Sequence, residues 1–459
     1  MEVPRIATAG GPVARVQTKG REDLIPRWGS MPRATADARQ GTRGSPASAT
    51  WSSLLVQRDP RVCRRCVYDE TVPGISFDAE RVCSYCQLHD QMDRQYPTGG
   101  EGERILLGVA DRIRAAGKGK KYDCVVGVSG GCDSSYLLYK MVELGLRPLA
   151  VHFDNTWNSP IATQNIYNVL EHLKVDLSTL VVNNKEYDDL YRSFLLAGLR
   201  DVEAPTDIGL AATLYRAAEK HGVKYIVEGH SFRTEGVAPL GWIYMDGKYI
   251  ESVHRQYGTR PLKTYPNMPL ASMLRWSTVR GIRRIRPLYY MDYQKRAAQK
   301  LLTEQLGWEW YGGHHLENRF TAFWHTYFLP RRYGIDARLL GHAALVRSGQ
   351  MTREAALSDL SAPIHVDAEI VELVRKRLGF SEDEFEAVMN LPHRNYWDFE
   401  TYKETFERLR PFFWVLYKLD RFPKSFYLKF THPDPARSAA RGAPAEPQLD
   451  AAPSLHRTD

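Results

Sequence analysis

The stretch that most constrains this chain is VVGVSGGCDSSYLLYKM at residues 125–141, where an apolar run ends in two glycines and continues with helical periodicity. A strand that passes through glycines into a helix lets backbone N–H groups converge at the positive end of the helix dipole. Such a turn binds anions, and Ser129 and Ser134 add hydroxyl donors. Asp133 is placed to hold Mg²⁺ against phosphate oxygens. The GxxxxGK[ST] loop is absent, so this is not the phosphate loop of common ATPases. A plain strand-to-helix turn capped by serine is the alternative interpretation.

Short apolar strands alternate with helical segments over about 120–300, which predicts an α/β fold with a doubly wound parallel sheet. Two cysteine pairs precede it at 60–95. A helical C-terminal region follows over 301–432, where apolar and charged residues recur at helical spacing. The ends, 1–55 and 433–459, are rich in small and charged residues without periodicity and are expected to be disordered tails.

Charge and hydropathy exclude few classes of protein. The 459 residues include 62 Lys+Arg and 54 Asp+Glu, and a net charge of +8 permits anionic partners such as nucleotides without requiring a nucleic acid. No apolar run reaches the roughly 18 residues of a membrane span, and the N-terminus lacks the apolar core of a signal peptide. We therefore expect a cytoplasmic protein whose cysteines do not form structural disulfides.

Four of the six cysteines lie in two CxxC pairs, Cys63/Cys66 and Cys83/Cys86, separated by 16 residues. Each pair turns both sulfurs toward one point, so the two together predict a tetrahedral Zn²⁺ site in a zinc ribbon. Four thiolates leave no coordination position for water, which indicates a structural metal. An iron–sulfur cluster and unmetallated cysteines are the alternatives.

The loop SGGxDS after a buried strand resembles the PP-loop of the ATP pyrophosphatase superfamily, whose fold is adenine nucleotide alpha hydrolase-like. That resemblance implies that the loop residues grip the pyrophosphate of ATP; they are Ser129, Gly130, Gly131, Asp133 and Ser134.

Longer stretches resemble the N-acetyl sugar amidotransferases of surface-polysaccharide and lipopolysaccharide biosynthesis. They include CRRCVYDETVPGISFDAERVCSYC, FDNTWNS, PTDIGLAATLYRAAEKHGVKYIVEGHSFRTEG, LKTYPNMPL and WYGGHHLENRFTAFWHTYFLPRRYGIDARL, in the family's order over about 63–360. The resemblance implies that the chain uses ATP, forming AMP, to convert the acetamido group of a nucleotide-linked sugar to an acetamidino group. Ammonia would come from a separate glutaminase subunit.

Candidate site residues lie just beyond the carboxyl ends of the predicted strands, where parallel sheets place ligands. By resemblance, Asp154 and Gly229 lie near the nucleotide, and His230 and Glu235 act on the sugar or accept a proton. His230 is also explained as a hydrogen-bonded residue at a strand end. The substrate contacts that the resemblance implies are Asn155, Trp157, Thr206, Asp207, His315, Glu317 and Arg319.

Three features leave alternatives open. PTD at 205–207 is either a helix N-cap or a substrate contact. In GGHHLENR, either His314, His315 and Glu317 ligate a metal, or His315, Glu317 and Arg319 contact the substrate or brace the domain junction. The basic run RGIRRIR at 280–286 suits a diphosphate or a solvated edge.

The family commonly has Lys at the position of Cys132, so a cation expected near the phosphates is missing there. This departure keeps a non-catalytic nucleotide-binding subunit as one rival function. A tRNA-thiolating PP-loop enzyme is the other, because EGH at 228–230 and the CxxC pairs also resemble that group.

Overall fold

The structure is a computed structural model that describes residues 61–239, 242–313, 316–434 and 437–438. The predicted tail at 1–55 and most of the tail at 433–459 lie outside the described residues.

A parallel sheet forms the centre of the fold. Its strands are β1 (Cys124–Gly127), β2 (Pro148–Asp154), β3 (Leu177–Val181), β4 (Tyr225–Val227) and β5 (Arg283–Ile285). They lie in the order β3-β2-β1-β4-β5, and every neighbouring pair is parallel. The order reverses between β1 and β4, which confirms the predicted doubly wound α/β sheet.

Both faces of the sheet are covered, as the apolar strands predict. Cys124 and Val126 of β1 pack into one apolar cluster, and Val125 packs into another on the opposite face. The helices of the first half of the chain are α1 (Ser84–Gln95), α2 (Gly99–Ala116), α3 (Cys132–Glu143), α4 (Pro160–Leu173), α5 (Asn184–Leu196), α6 (Ala204–Lys220) and α7 (Gly247–Tyr257). Helices α3 and α4 lie on the face of Cys124, and α6 covers the face of Val125.

Helices dominate the second half, as predicted. They are α8 (Leu270–Leu274), α9 (Lys295–Leu306), α10 (Arg319–Phe323), α11 (Leu329–Tyr333), α12 (Arg338–Arg347), α13 (Arg353–Ser361), α14 (Ala368–Arg377), α15 (Glu382–Met389), α16 (Lys403–Arg408), α17 (Arg410–Lys418) and α18 (Lys424–Thr431). The π-helical turn Trp324–Phe328 joins α10 to α11 without a break. Phe320 and Phe328 pack in the same aromatic core as Phe194 of α5, so the C-terminal helices close onto the sheet's flanking layer.

The basic run is the fifth strand and its flanks. Arg284 and Arg286 both pair with Glu228, which follows β4, and Arg280 pairs with Glu219. Burial alone would raise the pKa of Glu228, but the two arginines outweigh it and hold that pKa below its ordinary value. These arginines therefore join two neighbouring strands, which neither of the two sequence interpretations predicted.

The cysteine segment packs against the C-terminal helices. Its residues Cys66 and Tyr68 share an apolar cluster with Ala343 of α12 and Ala356 of α13. Two isolated antiparallel bridges, Val62 with Asp69 and Phe77 with Cys83, give it the hairpin character expected between the CxxC pairs.

Among the described residues, no helix combines the length and the apolar character needed to cross a bilayer.

Candidate nucleotide site and cysteine cluster

The glycine loop (residues 129–134) and the loop after β4 flank the point where the strand order reverses. In open parallel sheets the crevice at this point, just beyond the carboxyl ends of the strands, is the usual position of a ligand. The two loops touch at Gly229, where an added Cβ would lie 3.2 Å from backbone atoms of Asp133 and Ser134. Glycine is therefore required for the loops to approach this closely.

The glycine loop has a backbone shape that few residues can adopt. Gly130 has a φ of +80°, and a Cβ there would lie 2.1 Å from the carbonyl oxygen of Ala162. Its own carbonyl accepts hydrogen bonds from Trp308 Nε1 at 2.9 Å and from Asn165 Nδ2 at 3.4 Å. The loop is thus fixed by residues of two other segments before any ligand binds.

Helix α3 begins at the loop with no side-chain cap, because its N-cap residue is Gly131. A first turn whose N–H groups receive no capping side chain is suited to an anion. Ser129 Oγ accepts a hydrogen bond from the Gly131 N–H at 3.2 Å, and Ser134 Oγ donates to the Gly131 carbonyl at 3.2 Å. The two serines therefore shape the cradle as well as offering hydroxyl groups to it.

Asp133 forms a buried ion pair that the sequence interpretation missed. Its carboxylate accepts hydrogen bonds from Lys295 Nζ at 2.5 Å and from the Tyr293 hydroxyl at 2.5 Å. The side chains of Lys295 and Asp133 are 16% and 13% exposed. Burial raises the pKa of Asp133, and the charge of Lys295 opposes that rise.

Lys295 is the first residue of α9, where a cation opposes the helix dipole. The sequence alone could have drawn attention to Lys295, because a lysine at a helix N-terminus is unfavourable. Its amide N–H donates to Gln350 Oε1 at 3.0 Å, and Gln350 in turn donates to the Tyr293 carbonyl at 3.1 Å. Gln350 therefore fixes the backbone of Lys295, and Asp133 holds its ammonium beside the glycine loop.

Cys132 points away from the crevice. Its side chain is 1% exposed, packs in the apolar cluster beneath the sheet and lies 3.5 Å from the Tyr293 hydroxyl. Burial raises the pKa of its thiol to about 12. Position 132 supplies no cation to the loop, but a lysine elsewhere in the chain does, because Lys295 reaches the loop from α9.

His230 and Glu235 are brought together after β4. His230 Nδ1 forms a hydrogen bond with Glu235 Oε2, and its ring lies 6.0 Å from that of Tyr289. Glu235 is near enough to act on the charges of both Asp133 and Lys295. The predicted proton acceptor and its carboxylate thus lie beside the glycine loop; their catalytic role stays a prediction.

Asp154, Asn155 and Trp157 follow β2 in a tight turn. Asp154 Oδ1 accepts from the N–H of Thr156 at 2.7 Å, and Asn155 Oδ1 accepts from the N–H of Trp157 at 3.1 Å. Asn155 and Trp157 are almost fully buried. The structure gives these two side chains a packing role, and any contact with substrate stays a prediction.

The indole of Trp157 is held by two charged residues. Its Nε1 donates to Asp188 at 2.9 Å, and the guanidinium of Arg377 lies 3.9 Å from its ring centroid.

Thr206 and Asp207 lie in the first turn of α6. The N-cap is Glu203, so the interpretation of PTD as the cap is wrong by two to four residues. The Thr206 hydroxyl forms hydrogen bonds with the hydroxyls of Tyr191 at 2.7 Å and Tyr187 at 3.0 Å. Asp207, by contrast, is exposed.

Glu317 lies against the glycine loop. A Cβ on Gly131 would lie 3.2 Å from Glu317 Oε1 and 3.2 Å from the Tyr311 hydroxyl. Burial, and then the charge of Glu317, raise the pKa of Tyr311. Arg319 opens α10, and its N–H donates to the Trp157 carbonyl at 2.9 Å. His315 lies outside the described residues.

The four predicted cysteines form one buried cluster, and their ligand atoms all lie within 4.8 Å of one another. The Sγ–Sγ distances are 3.9 Å for Cys63–Cys86, 3.7 Å for Cys66–Cys83 and 3.6 Å for Cys83–Cys86. Thiolates arranged tetrahedrally at the usual Zn–S distance would be about 3.8 Å apart. The donor set therefore fits a four-thiolate metal site.

Arg347 supplies charge to that cluster from α12. Its guanidinium donates to Cys66 Sγ at 3.2 Å and to Cys86 Sγ at 3.4 Å. Arg353 of α13 donates to the carbonyls of Cys63 and Cys66 at 2.9 and 3.0 Å. Two arginines therefore tie the cysteine segment to the C-terminal helices.

Residues 317–411 match the family model described as the C-terminal domain of WbpG-like lipopolysaccharide (LPS) biosynthesis proteins. This match covers about a fifth of the chain and confirms the predicted family resemblance there. No curated protein matches the chain.

Three solved structures show low similarity. NMN synthetase from Francisella tularensis is 13% identical over 64% of this chain and 97% of its own, with a TM-score of 0.28. The NH3-dependent NAD synthetase from Campylobacter jejuni is 10% identical over 64% and 98%, with a TM-score of 0.24. The U34-tRNA thiolase NcsA from Methanococcus maripaludis, solved with its [4Fe-4S] cluster, is 11% identical over 74% and 99%, with a TM-score of 0.23.

The burial of Cys132 predicts that a lysine at this position destabilises the fold. Cys132→Lys should lower the free energy of unfolding by about 3–5 kcal/mol, because it adds a second cation to the buried position beside Lys295. Urea unfolding measures the loss, with Cys132→Ser as the control that keeps the volume small. Wild-type stability together with a faster reaction in the lysine variant would show that residue 132 does reach the phosphates.

Proposed function

We propose that this chain, which carries the C-terminal domain of WbpG-like LPS biosynthesis proteins, is an AMP-forming amidotransferase that acts on an N-acetylated sugar. The observation that carries this proposal is the uncapped start of α3 at the strand reversal, with Lys295 and Asp133 paired beside it. A lysine ammonium fixed next to a site for phosphate groups can stabilise the negative charge that develops as AMP is transferred.

ATP would bind with its pyrophosphate on the residues Ser129, Gly130, Gly131, Asp133 and Ser134. Lys295 would face the phosphates, and Asp154 and Gly229 would lie toward the rest of the nucleotide. Asp133 would also be the residue to hold Mg²⁺, which neutralises phosphate charge when bound. The Asp133 carboxylate accepts from Lys295 and Tyr293, and its remaining lone pairs would be available to hold the metal.

The proposed reaction needs no side-chain nucleophile. The acetamido oxygen attacks the α-phosphorus, and the bond to the β-phosphate oxygen breaks to release pyrophosphate. Neutral ammonia then attacks the activated carbon, the carbon–oxygen bond breaks, and AMP leaves with the former amide oxygen. The protein contributes positioning and charge stabilisation at the α-phosphate.

The attacking nitrogen must lose a proton as the amidine forms. His230 is proposed to accept it, and Glu235, bonded to His230 Nδ1, would orient the ring. Both residues follow β4 and lie beside the glycine loop, where we propose that the second reactant enters.

The sugar would be contacted by exposed or half-buried residues near the loop. Glu317 and Arg319 are the candidates from the C-terminal domain, with His315, Thr206 and Asp207 as further predicted contacts. Asn155 and Trp157 would act by holding the β2 turn in place, since both are buried. A nucleotide-linked sugar remains the proposed substrate, and a separate glutaminase the proposed ammonia source.

The glycine loop fits the two rival functions less well. The non-catalytic interpretation rested on the missing cation, which Lys295 supplies. A thiolating enzyme needs reactive sulfur near the loop, but Cys124 and Cys132 are both buried and burial raises the pKa of each thiol.

We propose Zn²⁺ as the metal of the four-cysteine cluster. Four thiolates carry a net charge of −2 around one divalent ion, and Arg347 offsets part of it in the buried cluster. The segment is too small to bury a core of its own, so the metal would hold it together.

The purified full chain should contain about one zinc per molecule by elemental analysis. Cys66→Ser should lose the zinc and lower the melting temperature, whereas Cys132→Ser, outside the cluster, should retain the metal. Iron in place of zinc, or a wild-type protein without metal, would contradict the assignment.

Lys295→Met should reduce the rate of AMP formation by about 10²–10³-fold, because it removes the cation beside the phosphates. Lys300→Met on the same helix, where the lysine is exposed and 3.8 Å from Glu304, is the matched control. Circular dichroism at the assay temperature confirms that both variants are folded. A folded Lys295→Met enzyme with the wild-type rate would remove Lys295 from the site.

The overall reaction is tested with the full chain, ATP, Mg²⁺, ammonium and a panel of acetamido nucleotide sugars. Mass spectrometry should show one product in which NH has replaced O, formed in step with AMP and pyrophosphate. Formation of ADP without AMP would contradict the proposed chemistry.

A further inference from the structure

Helix α17 presents an apolar surface that nothing in the described structure covers. Phe412, Trp414, Val415 and Leu419 are 44%, 45%, 45% and 58% exposed. The opposite side of the helix is anchored, because Phe413 and Leu416 are buried in a cluster with Phe406 and Phe422.

The spacing of these residues makes one continuous surface. Phe412, Val415 and Leu419 recur at three and four residues, so they form one stripe along a helix that is fixed in place by its buried side. Val279, 78% exposed, adds a further apolar side chain where the π-helical turn Arg275–Val279 ends and the loop to β5 begins. We call this loop the Val279 loop. That loop lies against the end of α17, since Arg283 is 3.8 Å from Asp420 and a Cβ on Gly281 would lie 3.2 Å from Arg421.

Positive charge surrounds the stripe. Between residues 408 and 424 the basic residues are Arg408, Arg410, Lys418, Arg421 and Lys424, and Asp420 is the acidic residue. Lys418 lies over the rings of Trp414 and Tyr417, at 5.5 and 5.4 Å from their centroids, which leaves its charge unneutralised. Arg410 donates to the carbonyl of Thr431, which is also a neutral partner.

We propose that α17 and the Val279 loop form a docking surface for an anionic lipid bilayer. Aromatic and aliphatic side chains enter the boundary between headgroups and acyl chains, while flanking Lys and Arg meet anionic headgroups. The surface combines these two features in one helix that lies on the outside of the fold.

A second copy of the chain fits this surface less well. A two-fold contact brings the same patch against itself, so its excess positive charge would face like charge. The helix is also short, since nine residues span about 14 Å. It offers little of the roughly 800 Å² that each partner of a stable dimer usually buries.

The test is flotation of the full-length protein with lipid vesicles. Binding should be strong to phosphatidylcholine mixed with phosphatidylglycerol, weak to phosphatidylcholine alone, and reduced by added salt. Replacing Phe412, Val415 and Leu419 together by Gln should weaken binding by about tenfold or more, since Gln keeps the helix but removes the apolar stripe.

Val181→Gln is the matched control, because Val181 is 59% exposed at the end of β3, the edge strand opposite β5; it should bind as wild type. Equal vesicle binding by the triple variant and the wild type would overturn the proposal, as would the absence of binding at low salt. Light scattering that shows a wild-type dimer dissociated by the triple substitution would assign the surface to self-association instead.

Discussion

The buried ion pair between Asp133 and Lys295 holds the candidate site in its shape. It joins the start of α3, which follows the first strand of the sheet, to the start of α9, which follows the last. The two residues are 162 positions apart in the chain, so the contact joins segments that only the tertiary fold brings together. Removing one partner of a buried pair leaves an uncompensated charge that costs about 3–5 kcal/mol. Folding and the presentation of a cation to the glycine loop are therefore coupled.

A second set of charged contacts holds the cysteine segment against the C-terminal helices. Arg347 and Arg353 reach it from the C-terminal helices and bond to sulfur and carbonyl groups of the CxxC pairs. Arg233 extends this network, since it pairs with Asp93 of α1 and donates to the carbonyl of Tyr289 near His230. On the proposal that the cluster holds a metal, its loss would disturb more than the cysteine segment, because these arginines connect that segment to residues beside the crevice.

The sequence predicted those parts of the site whose signals are local. The glycine loop, the strand before it and the helix after it are contiguous, and Gly130 is required by a positive φ and a close approach to Ala162. The CxxC spacing likewise predicted a cluster that the structure confirms. Strand β5 was missed because its outer residues are arginines, whose ion pairs with Glu228 replace the apolar pattern that identifies a buried strand.

Contacts between distant segments could not be predicted from local patterns. Lys295 and Arg347 act on residues far away in sequence, and only the position of Lys295 at a helix N-terminus hinted at a role. Trp157 and Asn155 were expected at the substrate, but their burial gives them a packing role. Their depth in the fold could not be predicted from the sequence.

Oxygen transfer from the sugar to AMP is the step on which this account depends. The measurement that tests it uses an acetamido sugar nucleotide labelled with ¹⁸O in its carbonyl, incubated with the full chain, ATP, Mg²⁺ and ammonium. The account predicts that the label appears in the phosphate of AMP, with pyrophosphate unlabelled. Label found in inorganic phosphate or in water, or retained in the sugar while AMP accumulates, would contradict activation of the acetamido group by adenylation.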